Sequence, residues 1–262
     1  MKNVWTITRK EFRTYFDSPI AYIYITAYLL LVNFLYLWTF FVVGQADMRP
    51  FFGFMPFVLL FFVPSISMRQ WAEERKMGTL EILLTTPVRE VDVVLGKFIA
   101  SMGLLAMMLL LTFNIPVLLS YLGDPDWGMI ICGYLGSLLM GASYMAIGLF
   151  ASSLSENQIV AFIVSIAICT FMLILGEWFF LMLVPDMLVP VFDYLGLGTH
   201  FESMGRGVVD SRDIVYYLSV IGVFLYLNKS LFGQRAQKAL SNIVMVAAVN
   251  LFIGMSPGID NW

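Results

Sequence analysis

Charged side chains are concentrated between Arg69 and Lys97, where five Lys/Arg and five Asp/Glu interrupt a strongly apolar sequence. Carboxylate, ammonium and guanidinium groups form ion pairs and charge-assisted hydrogen bonds with a partner. A connector that only joined two helices could be far shorter than this segment. We therefore predict that it binds another protein.

A short helix is predicted inside this segment. Gly78 interrupts the preceding pattern, Thr79 is a favourable N-cap, and Glu81 suits a first helical turn. The apolar run that follows ends before Pro87, because the residue preceding a proline disfavours the helical conformation. We assign docking to this helix and its charged approach, namely Glu74, Arg75, Gly78, Thr79, Leu80, Glu81 and Leu84.

The sequence contains no P-loop for binding ATP, GxxxxGK[ST]. Its only Gly-Lys pair, Gly96-Lys97, is followed by Phe98 and has Val91 where the first glycine should stand. We expect neither ATP nor any other cofactor or metal on this chain.

Two isolated ionisable residues, Glu177 and His200, are candidate sites. Glu177, near the end of an apolar run, could contact a cargo or another helix, or its carboxylate could extend to the membrane surface beside Trp178. Ion-coupled carriers place more ionisable groups within the membrane than this chain does. His200 is the only histidine, and we predict a surface or capping role for it rather than ligand binding.

The composition is that of an integral membrane protein. The chain is 60% hydrophobic and 13% charged, with a mean hydropathy of +0.85. Its apolar runs are long enough to span a bilayer as helices. We predict an all-α, polytopic membrane protein with six transmembrane helices at 20–43, 51–68, 98–121, 128–151, 159–183 and 214–232.

The distribution of basic residues predicts the orientation. With the N-terminus in the cytoplasm, twelve Lys/Arg fall on the inside and three on the outside, namely Arg49, Arg206 and Arg212. The positive-inside rule therefore places the 69–97 loop in the cytoplasm.

The N-terminal segment Asn3–Phe16 is predicted to form an interfacial helix. Trp5, Thr8, Phe12 and Phe16 share one side at helical spacing, and basic residues occupy the other. A plain basic flank that orients the first span is the alternative.

The connector Val184–Asp213 is too long for a turn. We predict two short amphipathic helices in it, at 186–195 and 200–206, which could dip into the outer leaflet as re-entrant elements. Thr199 and Glu202 have the spacing of a capping box for the second. An irregular exposed loop is the alternative.

Three segments resemble a known family. The sequence EERKMGTLEILLTTPV at 73–88 resembles the first cytoplasmic loop of ABC-2-type transporter permeases. SLSENQIVAF at 153–162, together with HFE and RGVVD between 200 and 213, is similar to the gliding-motility-associated ABC permeases. The resemblance covers about residues 1–232, and the tail after Lys238 extends past the family's usual end.

The resemblance implies partners and site roles. Such permeases work as dimers, with a second copy or a paralogue, and pair with two separate ATPase subunits that carry ATP and Mg. By position, the coupling helix that fits the ATPase falls on Gly78–Thr85 and the N-terminal helix beside it on Asn3–Phe16. A further membrane or periplasmic subunit could join the complex, in contact with the lipid bilayer and without nucleic acid.

The function expected from this resemblance is that of a transmembrane permease subunit of an ATP-driven exporter in a bacterial cytoplasmic membrane. The chain itself is then not an enzyme. One alternative is a membrane scaffold that transmits ATPase motion to periplasmic or surface machinery, such as that of gliding motility, without passing cargo. An ATP-independent carrier or channel is the other alternative.

The chain divides into an N-terminal helix at 1–19, a six-helix domain at 20–232 and a tail at 233–262. In the tail, Leu240–Met255 is mostly apolar. A helix of this length measures about 24 Å, which is short against a hydrocarbon core of about 30 Å. We therefore favour a non-spanning tail helix with Trp262 near the inner interface, and a short seventh span is the alternative.

Overall fold

In the computed structural model, which describes residues 2–45, 47–80 and 88–231, the chain is almost entirely helical and these ranges contain no strand. The all-α prediction is thus confirmed for the described residues, whereas the tail lies outside them. The helices are α1 (Lys2–Asp17), α2 (Ile20–Val43), α3 (Arg49–Ser67), α4 (Arg69–Lys76), α5 (Glu90–Leu111), α6 (Asn114–Leu122), α7 (Trp127–Leu154), α8 (Gln158–Ile174), α9 (Trp178–Leu181), α10 (Val189–Leu195), α11 (Leu197–Gly205) and α12 (Ser211–Leu231).

Five helical stretches of the described chain are long and apolar enough to cross a membrane: α2, α3 with α4, α5 with α6, α7 and α12. The remaining predicted span, 159–183, corresponds to α8, which has only 17 residues and ends at Ile174. The helix stops at the turn around Gly176, which lies directly against Gly196 of the following connector. The chain is therefore a multi-pass helical protein, and the sixth span stays a prediction.

A proline explains the interruption of one long helix. Pro116 cannot donate a backbone hydrogen bond to Thr112, and its ring crowds that carbonyl. Accordingly α5 ends at Leu111, and α6 begins at Asn114. Pro56 and Pro64 lie inside α3, which continues past both.

Helix α7 occupies the centre of the bundle and is buried along most of its length. Its glycines allow neighbouring helices to come close: Gly133 lies against the ring of Phe52, and Gly148 lies against the hydroxyl of Ser67. The small residues of α7 thus serve packing within this chain.

The predicted N-terminal helix is confirmed as α1, and it packs along α5. The Thr8 hydroxyl donates to the Gly96 carbonyl at 3.3 Å, and the Phe12 ring lies against Gly103. The basic residues Arg9 and Arg13 face outward, as predicted. Its position at a membrane interface stays a prediction.

The long connector before α12 contains two short helices, with bounds that differ from the prediction. Helix α11 begins at Leu197, because the Thr199 hydroxyl donates back to Gly196 and Asp193 carbonyls instead of capping a helix at 200. Glu202 pairs with Arg206 rather than completing a capping box. The predicted box is therefore wrong. Helix α10 begins at residue 189 instead of 186.

The connectivity sorts the connectors onto two ends of the bundle. The charged end comprises α1, α4, the start of α5 and the α7–α8 turn, and the opposite end comprises the α2–α3 and α6–α7 connectors with α9–α11. Among the described residues, the Lys/Arg at the opposite end are Arg49, Arg206 and Arg212. The segregation of basic residues predicted from the sequence is therefore present in the fold.

Candidate functional site

The predicted docking residues cluster at the charged end. Glu74 and Arg75 lie in the last turn of α4, and Gly78, Thr79 and Leu80 follow it. Glu81 and Leu84, with the rest of the predicted helix, lie outside the described residues.

Lys97 is the most buried cation of the described chain and organises this end. Only 1% of its surface is exposed, and its Nζ lies 2.7 Å from Glu74 Oε1 and 3.4 Å from Glu11 Oε2. Nζ also donates to the Gln70 carbonyl at 3.1 Å and stands 5.0 Å from the centre of the Trp71 ring. A buried ammonium is tolerated only with such partners. The Lys97 node, as we call this group, ties α1, α4 and α5 together.

A second layer of polar groups supports the node. Gln70 donates to the Tyr15 hydroxyl and, at 2.6 Å, to Ser101 Oγ. Tyr15 and Ser101 are themselves hydrogen-bonded at 3.0 Å. Burial raises the pKa of Tyr15 well above its ordinary value, so the hydroxyl stays protonated and neutral. These bonds fix the positions of α1, α4 and α5 relative to one another.

Helix α4 is also held by the end of α7. Ser152 Oγ accepts from the backbone N–H groups of Trp71 and Ala72 at 3.1 and 3.2 Å, and it donates to the Met68 carbonyl at 2.8 Å. The Ser152 side chain therefore satisfies amides that a helix start leaves free. Further along α4, Arg75 donates to the Ser153 carbonyl at 3.2 Å.

The end of α4 only partly follows the prediction. Gly78 has φ +69°, a left-handed conformation that suits glycine, and the predicted interruption is confirmed. The Thr79 hydroxyl, however, donates to the Glu74 carbonyl at 3.2 Å, so it closes α4. The N–H groups that an N-cap at Thr79 would bind lie outside the described residues, so its capping of the next helix stays a prediction.

Leu80 does not face outward. It is 8% exposed and packs with Trp71, Val94 and Leu149 in a small apolar cluster. The accessible surface at the end of α4 is formed instead by Lys76, Met77, Gly78 and Thr79. Met77 is 62% exposed, which makes it the most prominent apolar side chain there.

A cavity of about 640 Å³ opens beside the node. It is bounded by α1, the start of α2, α4 and α5. Lys10, Glu11, Glu73, Glu74, Arg69 and Lys97 contribute its charged walls. We call it the node cavity.

Sequence reasoning did not assign the node. In the sequence, Lys97 is the last residue of the charged segment and part of the only Gly-Lys pair, and neither feature predicts its pairing with Glu11. One signal could have found Lys97: it is a lone charge within the apolar stretch VVLGKFIAS, where an ammonium would need a partner.

At the opposite end, His200 is buried, so of the predicted surface or capping role the surface position is wrong. It is 8% exposed, with Nδ1 at 2.7 Å from Asp213 Oδ1 and Nε2 at 2.9 Å from the Tyr194 carbonyl. The Tyr216 ring stacks on it at 4.0 Å. We call this group the His200 cluster. It joins α10, α11 and α12.

Glu177 also lies at the opposite end, at the residue preceding α9. Its side chain is half-buried beside Gly198 and distant in sequence from the node. A contact with cargo stays a prediction.

Apolar helices of spanning length, with a polar segment anchored across one end, define a multi-pass membrane protein. Residues 5–257 match the family model of the ABC-2 family transporter proteins. The chain therefore belongs to the ABC-2 transporter family, whose permeases work with ABC ATPase subunits. The match is at the level of the family, and the gliding-motility subgroup stays a prediction. The search of curated proteins found no match to the chain.

Proposed function

We propose that this chain is the transmembrane permease subunit of an ATP-driven exporter, and that separate ATPase subunits dock on the 69–97 loop. The observation that carries the proposal is the attachment of α4. One end of the loop is bonded to α1 and α5 through Lys97 and to α7 through Ser152. A force applied to the loop would therefore reach four helices of the bundle.

The exposed end of α4 is the proposed contact. Lys76, Met77 and Thr79 project from an anchored base, whereas Leu80 faces the bundle and holds the loop in place. A rigid base with an exposed apolar side chain is suited to a protein interface. ATP and Mg would bind on the partner.

The charged end is proposed to face the cytoplasm of a bacterium, with the N-terminus on the same side. The proposal rests on the segregation of Lys/Arg, of which the opposite end of the described chain carries Arg49, Arg206 and Arg212. A docking loop for an ATPase must also lie where ATP is available.

The working unit is proposed to contain two permeases, either two copies or one copy and a paralogue, with two ATPases. Helix α2 is largely exposed, including Phe34, Trp38 and Phe41. Exposed apolar side chains in a membrane protein face lipid or another subunit.

The test is recovery of the cognate ATPase with the purified permease. Met77→Asp places a charge on the proposed contact without touching the node, and we expect it to reduce ATPase recovery at least severalfold. Met187→Asp is the control, because Met187 is also an exposed methionine, at 90% against 62% for Met77, and lies at the opposite end. Equal recovery with both variants, at equal amounts in the membrane, would contradict the proposal. Cargo export by reconstituted vesicles separates an exporter from a scaffold that only transmits motion.

A further inference from the structure

His200 presents both of its ring nitrogens to oxygen atoms that accept hydrogen bonds. Nδ1 lies 2.7 Å from the carboxylate oxygen Oδ1 of Asp213, and Nε2 lies 2.9 Å from the Tyr194 carbonyl oxygen. A neutral imidazole has one N–H group and one bare nitrogen, whereas an imidazolium has two N–H groups. In the neutral ring, one of the two contacts would therefore set a lone pair against an oxygen. The geometry fits the doubly protonated ring.

Two further features of the His200 cluster favour the charged ring. Asp213 is buried, and its Oδ2 has no hydrogen-bond partner in the described part of the chain. A buried carboxylate is stabilised by a cation next to it, and His200 is in that position. The Tyr216 ring is stacked on the imidazole, with 4.0 Å between the ring centres, which is a favourable place for a cation over an aromatic face.

Asp213 is the charged group that is paired with the ring among the described residues. The phenol rings that face it from α10 and α12 are those of Tyr194, Tyr216 and Tyr217. Helices α3, α7 and α8 meet α11 through apolar contacts, formed by Phe52, Gly136 and Leu173. Glu177, in the turn after α8, lies beside Gly198. The other charged groups on α10, α11 and the start of α12 are exposed, namely Asp193, Glu202, Arg206, Asp210 and Arg212.

We propose that the His200 cluster is a proton-dependent latch on α10. With two protons on the ring, Nε2–H donates to the Tyr194 carbonyl and Nδ1–H donates to Asp213, so that α10, α11 and α12 are fastened together. When Nε2 releases its proton to solvent, its lone pair faces the Tyr194 carbonyl, and the buried charge of Asp213 loses its countercharge. The contact with α10 then loosens. Because the charged ring is the state with two partners, the latch is closed in acid and opens as the pH rises.

The expected change is local. The Tyr216 hydroxyl donates to the Leu195 carbonyl at the end of α10, and this bond does not use a proton of the histidine. Helix α10 is therefore loosened at Tyr194 and stays attached at Leu195. In the proposed orientation the latch lies outside the cytoplasm and responds to the pH there. The proton dependence itself does not rest on that orientation or on the docking of an ATPase.

His200 is the only histidine of the chain, so isotope labelling of histidine gives the NMR signals of this ring alone. The experiment uses the full chain in detergent, purified without a histidine tag and titrated from about pH 5 to about pH 8, the interval in which histidine exchanges its proton. We expect both nitrogens to be protonated at the acid end and Nε2 to be bare at the alkaline end. Asp213→Asn keeps an acceptor but removes the countercharge, and it should move the transition to lower pH by about one pH unit. A ring whose protonation does not change over this interval, whether it holds one proton or two, would overturn the proposal.

Hydrogen exchange, corrected for the pH dependence of unstructured peptides, tests the latch itself. Over the same interval we expect the protection of residues 189–196 to fall severalfold in the wild-type chain and to be independent of pH in His200→Phe. Glu202→Gln is the control, because it removes an exposed carboxylate of the same helix from its pair with Arg206, and it should keep the wild-type response. Protection that is independent of pH in the wild-type chain, or a response that persists in His200→Phe, would refute the latch.

Discussion

The two ends of the molecule each bury an ionisable side chain, but they hold it in different ways. Lys97 is surrounded by side chains from helices far apart in the sequence, with Glu11 on α1 and Glu74 on α4. His200 is held by Asp213 and by the Tyr194 carbonyl, which belong to neighbouring segments of one connector and the helix after it.

This difference predicts how much of the fold is loosened when either group of buried side chains is lost. The Lys97 node joins segments far apart in the chain, so its loss should loosen α1, α4 and the start of α5 together. The His200 cluster joins α10, α11 and α12, which follow one another, so its loss should stay local. Hydrogen exchange measured by mass spectrometry distinguishes a spread effect from a local one.

The largest effect is expected for Lys97→Met. Removing the ammonium leaves Glu11 and Glu74 facing each other without their cation, and breaking a buried pair costs about 3–5 kcal/mol. We expect a clear fall in the melting temperature of the detergent-solubilised chain and faster exchange throughout α1 and α4. Lys10→Met, at an exposed lysine, is the control. An unchanged melting temperature would show that the node does not stabilise the fold.

His200→Phe should have a smaller and more local effect. The new ring can still stack on Tyr216, but Asp213 loses its partner, and a buried charged acceptor without a donor costs about 2–3 kcal/mol. The rate of hydrogen exchange should rise in residues 189–231 and stay unchanged in residues 69–80. Faster exchange in α4 would contradict the separation of the two ends.

Ser152→Ala tests the attachment of α4 to α7. The backbone N–H groups of Trp71 and Ala72 lose their acceptor, which should cost about 1–2 kcal/mol. Ser153→Ala is a matched control, because the buried Ser153 hydroxyl donates only to Phe150 of its own helix. We expect faster exchange at the start of α4 for the first variant only. Identical hydrogen exchange in the two variants would contradict the assignment of Ser152 as a cap of α4.

The smallest effect is expected for Gly78→Ala. No atom of the described residues lies within 4 Å of the position that the new methyl group would take, so the left-handed backbone is what we expect to be penalised, by about 1 kcal/mol. Gly53→Ala is the comparison, since Gly53 lies in α3 with equally open space and alanine favours a helix. A melting temperature that falls for Gly78→Ala and not for Gly53→Ala would support the strained turn, and equal shifts would argue against it.

Local signals in the sequence predicted most of the fold. Hydropathy locates the long helices, and Gly78 marks an interruption, because both features depend on residues close together in the chain. The same reasoning predicted α1 to within a residue at each end. It failed at Thr199 and at the end of α8, where the packing of Gly196 against Gly176 decides the local structure.

The sequence by itself determined the membrane class, the sorting of basic residues onto two ends and the position of the charged loop, since composition and order along the chain are sufficient for these. Only the tertiary structure decided which side chains meet. In the tertiary structure Leu80 packs against the bundle, and the Thr79 hydroxyl donates to a carbonyl of α4. His200 is buried, and Lys97 lies at the centre of one end of the bundle. The physical reason is that the partners of a buried side chain come from other helices, and the packing of helix faces chooses them.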